Sequence, residues 1–201
     1  MYWRIRKIGP EQIAKQYGVH AGLIFSVLVN VVLITTRPAM PKVAPETKMS
    51  FEQFAKTVTQ HLLDTSYITY TDSTASLLNG ELAPPVIALM RQQETLAKSN
   101  EELRAIQKKL EESQQVSAVK IEQIIDSDLD PNGMLPVEVR GIVAIHSAEE
   151  TGPAGPEHFD FKFLVGARPG PDGKPLMMAD GHTPMPLVAR FEDASPKPTG
   201  N

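Results

Sequence analysis

The sequence predicts an α+β protein in which one N-terminal transmembrane helix precedes a domain of helices packed on a curved antiparallel sheet. Three observations lead there. No side chain between Lys15 and Arg37 carries a formal charge. From residue 50 to about 115 apolar residues recur at helical spacing, and from about residue 119 onward they alternate with polar ones. Helices first and strands afterwards segregate the helices to one side of the sheet. With 201 residues the chain has room for one ordinary domain plus appendages, and the lack of cysteine excludes a disulfide framework and a Cys-based zinc site.

The centre of the uncharged run reads GLIFSVLVNVVLITT. A helix needs about 20 apolar residues to cross ~30 Å of hydrocarbon, so residues 17–36 suffice for one span, with 1–16 as a tail and 37–49 as a linker studded by Pro38, Pro41 and Pro45. The junction Leu33-Ile34-Thr35-Thr36-Arg37-Pro38 offers no A-x-A cleavage pattern, which favours a retained anchor over a signal peptide. Ser26 and Asn30 share one helical face and are tolerable in lipid against another helix. Basic residues flank both ends, and the short N-terminal tail favours a cytoplasmic N-terminus. Residues 38–201 then lie outside the cytoplasm.

Charge is unevenly placed. Of 20 Lys and Arg and 24 Asp and Glu, six basic residues (Arg4, Arg6, Lys7, Lys15, Arg37, Lys42) and Glu11 alone fall in residues 1–42, which leaves 14 basic against 23 acidic residues in the remainder. That acidic remainder is poorly suited to phosphate backbones, so direct nucleic-acid binding is not expected.

The domain is expected over residues 50–193, with 194–201 as a disordered tail. Ser50 with Gln53 three residues on is a capping-box pair, and Phe51, Phe54, Ala55, Val58 and Leu62 then repeat at helical spacing. Asp72 caps a short second helix, and Asn79-Gly80 ends it. Ala83-Pro84-Pro85 opens a run reaching about Gln115, either continuous or broken and recapped at Ser99, which has Glu102 three residues on. Leu89, Leu96, Leu103 and Leu110 keep a seven-residue repeat, but the second seam holds Val86, Gln93, Asn100 and Gln107, too polar for a stable coiled coil. The leucines are expected to pack on the sheet, with a weak partner helix as the second choice.

Strand signatures follow. Val119, Ile121, Gln123 and Ile125 are expected on one face, then a turn, then residues 135–145 with Gly141 marking a bulge. HFDFKFLVG places Phe159, Phe161, Phe163 and Val165 on one face. Pro169-Gly170-Pro171-Asp172-Gly173 turns the chain, and residues 176–178 and 187–191 are candidate closing strands around Pro184 and Pro186.

The turn DLDPNGMLPVEV matches half of a calcium loop through Asp128, Asp130, Asn132 and Gly133. The closing ligand fails, because position 12 is Val139 and a strand, not a helix, follows. A hairpin turn is favoured. Gly173-Lys174 lacks the Ser or Thr of a phosphate loop, since Pro175 comes next and Arg168 replaces the leading glycine. His146, His158 and His182 have no metal-ligand spacing, His146-Ser147 has no triad context, and Glu149-Glu150 sit in a solvated loop. No catalytic, cofactor-binding or metal-binding residue is expected, and no cofactor.

FSVLVNVV in the anchor and Gly133-x₃-Val137-x-Val139-x-Gly141-x-Val143 after the hairpin, with the order of elements over residues 17–165, give a chain that resembles the TraE-type inner-membrane bridging subunits of conjugative type IV secretion systems. The resemblance implies a nuclear-transport-factor or cystatin-like periplasmic domain on a single inner-membrane span. It also implies a scaffold that self-associates and contacts other secretion-channel subunits, with no catalysis. The chain departs from that family after residue 165 and in the loop 147–157. Exposed Phe and Tyr would mark the interfaces. The other readings are a pilus or type II secretion platform protein, opposed by the prolines after the span, and a membrane-tethered ligand binder or enzyme. That enzyme would need an acid or histidine on the concave face, for which Asp160 and His158 are the only candidates.

Overall fold

The computed structural model describes residues 45–130, 132–148 and 155–196. The expected tail (1–16), the expected span (17–36) and most of the expected linker lie outside the described residues. Among the described residues no helix is long and apolar enough to cross a membrane. What is described is α+β: four helices and a π-helical turn, then a four-stranded antiparallel sheet in sequence order.

Helix α1 spans Pro45–Leu62, six residues longer at its start than the Ser50 cap predicts and well into the stretch 37–49 expected as linker. Proline suits a first turn because its missing N–H would have no intrahelical partner there. Glu46 adds a favourable charge at the positive end of the helix. Ser50 therefore sits inside the helix and not at its cap. Phe51, Ala55, Val58 and Thr59 form the buried face, and the Thr59 hydroxyl is satisfied by donating to the Ala55 carbonyl at 2.9 Å.

Helix α2 (Tyr70–Ser76) has Asp72 in its first turn and no side-chain cap. Asn79-Gly80 does not end it. The chain widens into a π-turn, Leu77–Glu81, closed by the Leu82 N–H on the Leu77 carbonyl at 3.2 Å. A Cβ at Gly80 would lie 2.9 Å from the Arg168 guanidinium, the movable end of a long side chain.

The run to Gln115 is broken into α3 (Pro84–Gln92) and α4 (Asn100–Ser113). Ser99 recaps the chain as its spacing foretells: its hydroxyl accepts from the Glu102 N–H at 3.2 Å, while Glu102 accepts from the Lys98 N–H at 2.6 Å. Both helices end in the same motif with an unexpected residue. Glu94 (φ 62°) and Gln114 (φ 47°) occupy the left-handed position usually given to glycine. The next N–H groups, of Thr95 and Gln115, reach back to the Met90 and Leu110 carbonyls at 2.9 and 3.1 Å. The four leucines consequently form no stripe on the sheet. Leu89 is exposed, Leu96 lies between the helices, and α4 is tied to the α2 region through Gln107, which bonds the Tyr67 carbonyl and the Thr71 hydroxyl.

Strand β1 (Val116–Asp126) pairs with β2 (Leu135–His146), β2 with β3 (Glu157–Ala167), and β3 with β4 (Pro186–Asp193). A bulge places Glu122 between the pairs Ile121↔Gly141 and Gln123↔Arg140. Because side chains alternate, the extra residue reverses the facing of everything after it. Ile124 and Asp126 oppose the buried Val139 and Val137, and Ile125 does not continue the face of Val119 as its spacing predicts. Gly141 is not the bulge but makes room beside it: a Cβ would collide with the Lys120 carbonyl and sit 2.7 Å from the Phe159 ring. Residues 176–178 form no named strand, and only Met177 makes an isolated bridge, to Pro184. Ala194 and Ser195, placed by sequence in the tail, are tied to Asp160 by its carbonyl and its N–H at 2.8 and 3.0 Å.

The core sits between α1 and the inner sheet face. Phe159, Phe161, Phe163 and Phe191 stack there with ring centroids 5.3 to 6.3 Å apart. Leu82 and Ala83 cover part of the β4 edge, the Ala83 N–H bonding the Val188 carbonyl at 2.9 Å.

Two substitutions test this packing. Gly141→Ala forces strand backbone apart and should cost about 2 kcal/mol or more, seen as a melting temperature lower by roughly 5 °C. Glu94→Gly relieves a left-handed non-glycine residue and should raise stability by about 0.5–1 kcal/mol in chemical denaturation.

Candidate functional site

Antiparallel order sorts the loops to two ends of the sheet. At one end β1 finishes, β2 starts, β3 finishes and β4 starts, so the turn 127–134 and the long arm 168–185 lie together. The start of α1 joins them: Lys48 pairs with Asp126, and the Ser50 hydroxyl meets the Met178 sulfur at 3.9 Å. The opposite end carries the end of α1, the end of β2, the start of β3 and the end of β4.

The turn is a hairpin built around Asp130. One of its carboxylate oxygens accepts from the Asn132 and Met134 N–H groups, both at 2.9 Å, and Gly133 takes φ 76°. Those bonds, the Met134 N–H foremost, hold Asp130 below the usual carboxylate range. A carboxylate turned onto its own loop is a turn device, in keeping with the hairpin reading.

The arm is a built structure. The Arg168 N–H donates to the Met185 carbonyl, the Met185 N–H to the Leu176 carbonyl, and the Leu176 N–H to the Arg168 carbonyl, at 2.7, 2.7 and 2.9 Å. This closed ring of three bonds locks its base. Its two turns repeat one device, an Asp before a left-handed glycine: Asp172 with Gly173 (φ 77°), and Asp180 with Gly181 (φ 70°). The Asp180 carboxylate accepts from Thr183 and His182 and is lowered to about 2. Gly173-Lys174 belongs to the first of these turns, as its sequence predicts.

At the opposite end a cleft of about 470 Å³ opens between Leu63, Val143, Phe159 and Phe161, with His158 and Asp193 also lining it. His146 closes β2 at this same end, whereas His182 lies in the arm at the other, so the three histidines do not converge. Among the described residues no group of three or more His, Cys, Asp or Glu gathers around a metal position. Asp160 falls between the buried Phe159 and Phe161 and points away from the helices, where Arg140 holds it at 3.0 Å. Neither it nor His158 occupies the helix-facing side that acid-base chemistry on this fold would use.

A network not foreseen from sequence ties α1 to β1. Asp64 accepts from the Ser73 hydroxyl at 2.5 Å and the Ser66 N–H at 2.9 Å, while Ser117 bonds Ser66 and the Thr65 N–H, both at 3.0 Å. Burial alone would push Asp64 up, but the bonds from Ser73, Ser66 and Thr69 outweigh it and hold the carboxyl below its ordinary value. The run Asp64-Thr65-Ser66 is a turn signal in hindsight; its partner Ser117 is 51 residues from Ser66, and nothing local announces it.

Among the described residues no aromatic side chain is exposed to mark an interface. Phe51, Phe159, Phe161, Phe163 and Phe191 are all buried, and Phe54, Tyr67 and Tyr70 partly so. The most exposed apolar side chains include Met49 (70%), Ile68 (70%), Met177 (49%) and Met178 (42%).

No protein-family model matches this sequence, and no curated protein does. Among solved structures the chain is similar to a TraE protein in complex with 2-chloroisonicotinic acid, with a TM-score of 0.48 and 9% identity over 79% of this chain and 100% of that one. The likeness is weak and transfers no residue role.

Asp64→Ala should lower stability by about 2 kcal/mol by stranding its buried donors. Because its folded value is depressed, the wild-type contribution is fully present above pH ~4, the unfolded value, and fades as pH falls through the folded one. Denaturation curves of variant and wild type should therefore converge on acidification.

Proposed function

We propose that this chain is a membrane-anchored assembly subunit of a conjugative type IV secretion channel. One span at residues 17–36 fixes it in a bacterial inner membrane with its N-terminus in the cytoplasm. The periplasmic domain acts by self-association and by contact with other channel subunits, without catalysis, cofactor or metal.

The observation that carries this reading is the uncharged apolar run itself. In water it would have to be buried, whereas a bilayer accommodates it along its whole length. The resemblance supplies the role. The pattern behind that resemblance coincides with structural positions: Gly133 takes the turn's positive φ, Val137, Val139 and Val143 are buried, and Gly141 lies under the Phe159 ring. It therefore speaks to the fold, while anchor and resemblance together speak to the function. The platform reading is less favoured, since Pro38, Pro41 and Pro45 oppose a helix running on from the span.

Membranes from cells expressing the full chain should retain it through alkaline carbonate washing, and cross-linking before solubilisation should yield species larger than monomer. Release by carbonate, or monomer alone after cross-linking, would count against the proposal.

A further inference from the structure

The end of the sheet that carries the arm is also the end where α1 begins. Lys48 and Ser50, in the first two turns of α1, touch Asp126 and Met178 of that end. Any tether preceding Pro45 therefore leaves the domain there. Between residue 36 and Pro45 lie nine chain steps, at most about 30 Å when fully extended.

At this same end Met49 (70% exposed), Met177 (49%), Met178 (42%) and Leu176 (37%) present apolar side chains to the outside. Their exposure is held in place by construction. The three-bond ring at Arg168, Leu176 and Met185 fixes the base of the arm, and the Met178 N–H bonds the Thr183 carbonyl at 2.8 Å. Contact with Ser50 joins the arm to α1. Methionine is unbranched and polarisable, which suits an irregular and fluid partner. The two nearby turn carboxylates already accept backbone N–H groups, Asp172 from Lys174 and Asp180 from His182 and Thr183. Those bonds meet part of the carboxylates' hydrogen-bonding capacity at an interface, and Lys174 beside Asp172 is a cation that anionic lipid attracts.

We infer that the arm is a second membrane contact, in which Leu176, Met177, Met178 and Met49 enter the lipid interface and orient the tethered domain. This rests on the anchored reading proposed above. A single span with a proline-rich linker leaves the domain free to rotate; a shallow second contact fixes which face it turns to its neighbours.

The absence of cysteine makes the test direct. Met177→Cys in the full chain is labelled with an environment-sensitive fluorophore, and so is Lys108→Cys on the exposed side of α4 as a control. Both are reconstituted in phosphatidylcholine and phosphatidylglycerol vesicles with or without lipid carrying a shallow nitroxide quencher. The inference expects a blue-shifted label at 177 quenched about twofold or more by the shallow quencher, and a control in water and unquenched. If the chain resists carbonate extraction but the 177 label is as wet as the control, the inference is overturned and the anchor stands. Release of the chain by carbonate overturns both. Unlabelled Met177→Cys that oxidises to a disulfide between copies, together with a shielded but unquenched label, identifies a second copy as the occupant and also overturns it.

Discussion

Everything described here depends on one contact: helix α1 lying across a row of phenylalanine rings. Phe159, Phe161 and Phe163 alternate onto one face of β3, and Phe191 joins them from β4, opposite Phe163. The helix meets that row with Phe51, Ala55, Val58 and Thr59, all essentially inaccessible. Ala55, with its short side chain, suits close approach. Aromatic rings of this size contribute the largest burial per residue in the core, and edge-on arrangements such as that of Phe161 on Phe163 add to it.

The contact also determines polarity. Because α1 runs from the arm end of the sheet towards the cleft end, the start of the domain and its exposed methionines share one end. The cleft by Leu63 and Val143 opens at the other. The bulge at Glu122 fits the same scheme. Without it Asp126 would turn to the outer face; with it the carboxylate meets Lys48 at the start of α1. Gly141 leaves the space for bulge and ring to coexist. Sheet register, helix placement and the point where a tether attaches are thus linked through a few residues.

Much of this was legible in the sequence because it rests on local periodicity or local turn chemistry. Alternation identified β2 and the phenylalanine face of β3, Asp130 to Gly133 identified the hairpin, and Ser99 with Glu102 offered a recapped helix as one of two readings of the run to Gln115. What was hidden depends on competition between signals. Pro45 outweighed the Ser50 cap because a proline opens a helix without losing a bond. Glu94 and Gln114 end helices in a conformation that sequence readers assign to glycine, so one long run concealed two helices and the leucine repeat gained a false continuity. The bulge inverted Ile124 and Ile125 with no glycine of its own to announce it. As for the site, the surface most open to contact differs from the expected one: among the described residues burial claimed the phenylalanines, and the exposed apolar positions went to Met49, Met177 and Met178 and to aliphatic residues such as Ile68 and Val116.

Native-state hydrogen exchange on the full chain tests the central contact most directly. If α1 and the phenylalanine row form one unit, amides of residues 51–59 and 159–165 exchange with the same, highest opening free energy, and truncating Phe161 to alanine lowers both together. Exchange of the helix at a distinctly lower free energy than the strand, unmoved by that truncation, would contradict the account.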